Sequence, residues 1–319
     1  LYFVDVTRGS WEILAGQDWS FLTPNRDGLK PLPADIFYTQ NMDANYQVGL
    51  TWARQPQFRL IYHATPHLSA GVSLENAEPY IGGSAGAPQV TLPGGPGGPF
   101  AGQVNNGSSN FSAPGFTPDV IAKVAYDPTK RVHLELAGLE SEFRAFNPAT
   151  GLTAHQMGGG WGASANYALT PGLRLVGSGF TGAGGGRYFF GMAPDLIIRQ
   201  DGSISPVRSA GAVVGAEWQA MPGDLLDAYY GGLNIRPAFD LSGATPVGYG
   251  FAGSSPAVNR TVQEVTAGWT HTFWKSASYG SLQLISQASY LTRTPFNAAG
   301  GPRNARAGLG YLDLRFTLP

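Results

Sequence analysis

Gly308-Leu309-Gly310-Tyr311-Leu312-Asp313-Leu314-Arg315-Phe316-Thr317-Leu318-Pro319 changes side-chain character at every second position. Leu312, Leu314, Phe316 and Leu318 share one face; Tyr311, Asp313, Arg315 and Thr317 share the other. Successive side chains of a strand point to opposite faces, so the segment reads as a strand with one apolar and one polar side. A soluble sheet could hold one such strand. The fold is decided by recurrence: the pattern predicts thirteen strands, at 1–8, 11–20, 46–63, 68–77, 119–127, 131–144, 156–169, 173–183, 209–220, 225–237, 261–274, 281–294 and 306–318.

The connections carry the second signal. Arg8-Gly9-Ser10, Ala64-Thr65-Pro66-His67, Asp127-Pro128-Thr129-Lys130, Thr170-Pro171-Gly172, Met221-Pro222-Gly223-Asp224 and Lys275-Ser276-Ala277-Ser278 are short. The intervening ones, at about 21–45, 78–118, 145–155, 184–208, 238–260 and 295–305, are longer. Strict alternation of short turns and long loops is the habit of outer-membrane barrels, whose short turns lie in the periplasm and long loops outside the cell. Composition agrees. Charged residues are 13% of the 319, against about 25% in an ordinary soluble protein. No run reaches the roughly 18–20 apolar residues of a helical span. With no cysteine, disulfides and thiolate metal sites are excluded, and a net charge of -1 offers nothing to nucleic acid. The expectation is an all-β, transmembrane, antiparallel up-and-down β-barrel forming a single domain over 1–319, in a bacterial outer membrane with lipid and lipopolysaccharide as neighbours.

Orientation follows from the ending, with odd-numbered strands descending to the periplasm. Aromatic rings should then sit on the lipid side just before each short turn. Tyr62, Tyr126, Tyr167, Trp218, Phe273 and Phe316 do so, and Trp11 opens a rising strand at the same rim. His271, Arg54 and Pro56 also land on the lipid side, where charge is costly at mid-depth. Thirteen is odd, whereas bacterial single-chain barrels have even strand numbers. Leu1-Tyr2-Phe3-Val4 begins inside a strand without a leader, so the count predicts strands upstream; three would make sixteen, enough for an aqueous lumen.

Catalytic motifs are weak. Gly82-Gly83-Ser84-Ala85-Gly86 has the letters of a nucleophile elbow, but in a Gly/Pro-rich loop rather than a strand–turn–helix. Gly177-Ser178-Gly179-Phe180-Thr181-Gly182 mimics a dinucleotide fingerprint within a strand. His63, His67, His133, His155 and His271 lack metal-ligand spacing, so no cofactor or metal is expected. The functional material is charge on inward positions: Arg59, Lys123, Arg174, Arg236, Arg293 and Arg315, with Glu217, Glu264 and Asp313 among the carboxylates. These either pair across strands or set a field that selects solutes.

Leu14-Ala15-Gly16-Gln17-Asp18-Trp19-Ser20, followed by Arg54-Gln55-Pro56-Gln57-Phe58-Arg59 and the ending Leu314-Arg315-Phe316-Thr317-Leu318-Pro319, resembles the DcaP-like outer-membrane porins. The resemblance implies a sixteen-stranded homotrimeric barrel through which small, often anionic solutes such as dicarboxylates diffuse. It also implies that the Gly-Gln-Trp strand precedes a loop folded into the lumen. Segment 21–45 would be that constriction loop, with Arg26, Asp27, Lys30, Asp35 and Asp43, facing a positive wall of Arg59, Arg174, Arg293 and Arg315. The competing readings are an adhesive or structural surface barrel, and an outer-membrane hydrolase with a serine or carboxylate nucleophile and a histidine partner.

Overall fold

A computed structural model of the chain describes residues 1–29, 40, 42, 47–76, 90–101, 103–104, 117–190, 192–298 and 302–318. Their main element is one antiparallel sheet in which every strand pairs with its neighbours in chain order. Its thirteen strands are β1 (Tyr2–Arg8), β2 (Trp11–Trp19), β3 (Arg54–Thr65), β4 (Leu68–Glu75), β5 (Asp119–Thr129), β6 (Val132–Asn147), β7 (Leu152–Thr170), β8 (Leu173–Ala183), β11 (Arg208–Met221), β12 (Asp224–Ile235), β15 (Asn259–Ser276), β16 (Gly280–Pro295) and β17 (Ala305–Thr317). Two small hairpins, β9 (Leu196–Ile198) with β10 (Ile204–Pro206) and β13 (Ala238–Ser242) with β14 (Thr245–Tyr249), lie within long connections. β1 and β17 each pair on one side only among the described residues.

The two faces differ as the alternation requires. On β5, Val120, Ala122, Val124 and Tyr126 are exposed while Asp119, Ile121, Lys123 and Ala125 are buried. On β11, Ala212, Val214 and Trp218 are exposed while Val213 and Glu217 are buried. The outward side thus presents Leu, Val, Ile and aromatic side chains strand after strand, and the polar residues point inward. A water-soluble protein rarely exposes a continuous apolar surface beyond a few hundred Å². A membrane barrel requires one. Tyr62, Tyr126, Tyr167, Trp218, Phe273, Phe316 and Trp11 are all exposed on this side beside the short turns. Trp11 and Tyr62 are cross-strand neighbours, with ring centroids 4.7 Å apart.

Two local readings change, and a third gains its reason. Residues 46–53 were expected to begin a strand, but β3 begins at Arg54, and Leu50 and Trp52 are buried inside the sheet instead. The connection expected at 145–155 contracts to 148–151, because β6 and β7 stay paired up to Asn147 and Leu152. There Asn147 Oδ1 accepts from the Ala149 N–H and Gly151 takes φ +70° to close the turn. Lastly, His271 is outward and has a local reason: its Nδ1 lies 2.8 Å from Asp224 Oδ1, which also accepts from Trp269 Nε1 at 2.9 Å. The polar cluster sits at a short-turn rim rather than in the apolar belt.

Candidate functional site

The described residues of the connection from β2 to β3 lie against the inward side of the sheet. On its outgoing limb the Phe21 N–H donates to Glu75 Oε1 at 2.6 Å, and the Asn25 N–H donates to Glu135 Oε1 at 3.1 Å. Lys123 Nζ, on β5, donates to Thr23 O at 2.7 Å, Asn25 Oδ1 at 3.1 Å and Glu135 Oε2 at 3.0 Å. Arg26 then forks onto Glu217 of β11, with Nη1 to Oε2 at 3.0 Å and Nη2 to Oε1 at 2.5 Å, while Asn166 of β7 donates to the Arg26 carbonyl. On the return limb the Gln40 N–H reaches Tyr229 OH, the Met42 N–H reaches Gln287 Oε1, and Arg315 donates to Met42 O. The Val48 N–H donates to Glu264 Oε2 at 2.8 Å. Leu50 and Trp52 end this limb against Val176, Val213 and Tyr229.

Inward charges of the wall therefore meet backbone groups of a loop whose described residues form no ladder of their own. That explains why Glu75, Glu135, Glu264, Lys123 and Arg315 occupy this surface: they satisfy donors or acceptors that an irregular backbone leaves open. Close approach also demands small wall residues. A Cβ on Gly231 of β12 would overlap the Val48 carbonyl, and Gly49 takes φ +88° against the Ala212 and Gly232 carbonyls.

Other connections also enter. In the segment after β8, Arg187 bridges Asp195, at 3.1 Å, and Asp119 of β5, and Tyr188 OH donates to Asp119 Oδ2 at 2.6 Å. The Trp52 N–H donates to Tyr188 O at 2.8 Å, so this segment lies on the first loop. Leu196, Ile197 and Ile198 join Val90, Leu92, Phe100 and Phe143 in one buried cluster. The sequence reading singled out neither Arg187 nor Tyr188; the apolar run Leu196-Ile197-Ile198 in a long connection was the available sign of an inward fold.

The expected inward residues separate into distinct settings. Arg59 is 3% exposed, bonded to Gln57 Oε1 and Trp19 O and 3.7 Å from Asp18, with its guanidinium over the Phe21 ring. Arg293 holds Asn259 Oδ1 and Pro256 O at the long-loop end of β16, and Asp313 pairs with Arg315 at 3.2 Å. Arg174 lies at the short-turn end of β8. Arg59, Arg174, Arg293 and Arg315 are thus not brought together as one positive wall. Arg236 is a correction: it follows the end of β12 on the same parity as the outward Ala228 and Tyr230, and it is exposed. Lys30, Asp35 and Asp43, and the Gly82–Gly86 motif, lie outside the described residues. Arg26 and Asp27 line a cavity of about 680 Å³ at the short-turn mouth, together with Lys130, Arg131, Asn166 and Arg174.

The histidines acquire partners. His133 Nδ1 lies 2.7 Å from Asp127 Oδ1, and His155 Nδ1 3.4 Å from Glu142 Oε1. His63 stands between Ser69 Oγ and Glu12 Oε2, 2.9 Å from each. Serine, histidine and carboxylate are in triad order, yet Ser69 and His63 are ladder partners on regular strands. The His63 N–H is spent on Ser10 O, so it is not a donor for an oxyanion.

An antiparallel sheet with an apolar outer face and loops packed on a charged inner face defines the membrane β-barrel fold of outer-membrane proteins. Among solved structures, the chain is similar to the outer membrane channel DcaP of Acinetobacter baumannii, with TM-score 0.65 and 16% identity over 98% of this chain and 74% of that one. It is more distantly similar to OmpT, an outer membrane protein of Vibrio cholerae (TM-score 0.49, 10% identity, 97% and 79% covered), and to an anion-selective porin from Comamonas acidovorans (TM-score 0.49, 13% identity, 97% and 71% covered). At such identities the likeness is one of fold. No protein-family model matches the chain, and no curated protein matches it.

Proposed function

We propose that the protein is an outer-membrane porin through which small hydrophilic solutes diffuse passively, with segment 20–53 narrowing the path. The observation that carries this reading is the opposed chemistry of the two faces: lipid-compatible side chains outside, and inside a loop fastened to the wall by Arg26–Glu217 and Lys123–Glu135 as well as by its apolar contacts. A purely structural barrel would have no need to spend buried ion pairs on positioning a loop across its lumen. Reconstitution of the full-length protein into planar bilayers tests it; discrete conductance steps are expected, and their absence from folded protein would defeat it.

A preference for anions draws support from Lys130, Arg131 and Arg174 around the short-turn mouth. A reversal potential measured across a salt gradient decides this separately from conduction. Homotrimers draw support from the outward side of β3, where Arg54 lies over the Trp19 ring at 5.4 Å and Pro56 is exposed. Both would be sheltered by a neighbouring subunit, and cross-linking in mild detergent tests it. Lipid and lipopolysaccharide remain the expected neighbours of the outer face. A hydrolase is the second reading, favoured by Ser69–His63–Glu12; labelling of Ser69 by a fluorophosphonate would support it over a porin with no covalent chemistry.

A further inference from the structure

The cavity at the short-turn mouth contains two polar groups left unsatisfied by their own neighbours. Arg174 is the ladder partner of Glu217, the natural counter-ion for it. That carboxylate is already occupied, by the forked guanidinium of Arg26 and by Tyr229 OH at 2.8 Å. Arg174 is left without an ion pair or hydrogen bond among the described residues. Two carboxylates line the cavity, Asp27 and Asp127; Asp127 is held by His133, and Asp27 is not free either. Asn166, 5% exposed, donates through Nδ2 to Arg26 O, but its Oδ1 has no donor. An unpaired buried acceptor is destabilising unless a partner arrives.

The two groups are neighbours. Asn166 pairs with Val176, and Arg174 is two residues along the same strand on the same inward face. Such diagonal positions lie about 7–8 Å apart, within reach of a long side chain. We propose that this mouth is a solute subsite for small carboxylates that also carry a hydroxyl or ammonium donor. The carboxylate takes the Arg174 fork, with Arg131 on the turn adding charge, and the donor on the neighbouring carbon meets Asn166 Oδ1. The inference rests on the porin reading: it specifies what a solute meets where the path opens toward the short turns. A carboxylate lacking the donor would gain the charge term alone and leave Asn166 Oδ1 unpaired.

Lactate and propionate differ by that one hydroxyl and serve as the probes. Single-channel currents of the full-length protein are recorded in potassium chloride with either acid added on the short-turn side. Lactate is expected to reduce current at about tenfold lower concentration than propionate. Arg174→Gln should weaken both acids about tenfold. Asn166→Leu should erase the difference between them. Saturation-transfer NMR on the detergent-solubilised protein reads binding without conduction and guards against a variant whose loop has shifted. Conductance with equal potency of the two acids, or equal potency in wild type and Arg174→Gln, would overturn the subsite while leaving the porin reading standing. Absence of conductance in folded protein would overturn the porin reading and this inference together.

Discussion

The Arg26 guanidinium lies against the Glu217 carboxylate in a forked pair that joins residues 191 apart in sequence. One partner belongs to an irregular loop, the other to a strand whose outward neighbours Ala216 and Trp218 face the opposite way. The loop's position is therefore set by a charge that strand periodicity had already aimed inward. Arg26→Ala should release this limb: single-channel conductance should rise, and protease should cut within 20–29 of reconstituted protein. An unchanged conductance would show that the fork does not restrain the path.

Lys123 and Glu135 make a buried pair that also holds Thr23 and Asn25. Removing one partner strands the other charge, at a cost of about 3–5 kcal/mol. Lys123→Met should accordingly lower the unfolding midpoint strongly, and Lys123→Met combined with Glu135→Gln should recover part of the loss. Heat-modifiability on gels reads both. Equal loss in the single and double variants would mean that the pair acts only by filling space.

Facing along the strands can be tested one position at a time. Val124 is outward in the middle of β5. Val124→Arg puts a cation against acyl chains and should cost about 2–4 kcal/mol at mid-depth. Ser178→Arg, on the inward face of β8, should alter conductance and selectivity while leaving stability nearly unchanged. The reverse result would turn the sheet inside out.

Much of this architecture was legible in the chain, and the reason is physical. In β17 the alternation of Leu312, Leu314 and Phe316 with Asp313 and Arg315 is imposed by a two-residue period, and a barrel between lipid and water must obey it at every strand. The inward orientation of Lys123, Glu217 and Glu264 followed from the same period. Loop positions had no such rule. Residues 47–53 carry strand-like residues such as Val48, Leu50 and Trp52, yet they pair with no strand of the main sheet, because burial against Val176 and Val213 outweighs local propensity. Arg236 was misassigned since β12 ends one residue earlier and the alternation carries it outward. Arg187 gave no periodic signal at all; its role depends on Asp119, 68 residues away on another strand.

Gly231 offers a test of the return limb. It lies beneath the Val48 carbonyl with no room for a Cβ. Gly231→Val should push segment 47–50 away from β12 and break the Val48 N–H bond to Glu264. Larger and noisier single-channel currents are expected from a barrel that still folds, as judged by strand circular dichroism. Wild-type currents would show that the limb adapts without moving.

The second inward segment makes a prediction about pH. Asp195 is buried, which pushes its carboxyl up from the ordinary aspartate value, and the opposing pull of Arg187 does not reverse this. A carboxyl raised in the folded state contributes its full stability below the ordinary pKa and loses it as pH rises through the raised value. Burial also works against the charge on Arg187, but Asp195 and Asp119 hold its guanidinium above the ordinary arginine range. That contribution is full at any pH below the ordinary arginine value. Acidification therefore takes no stability from the folded segment through either group, so segment 184–207 should remain protected from protease when reconstituted protein is taken from pH 7.5 to 4.5. Arg187→Gln removes the cation between two buried carboxylates and should expose the segment most at pH 7.5, where two uncompensated charges crowd one dry site, and less at pH 4.5, where the raised Asp195 carboxyl takes up a proton more readily. Acid-induced cleavage of the wild-type segment, with Arg187→Gln no more sensitive than wild type, would show that something other than this bridge holds it in the lumen.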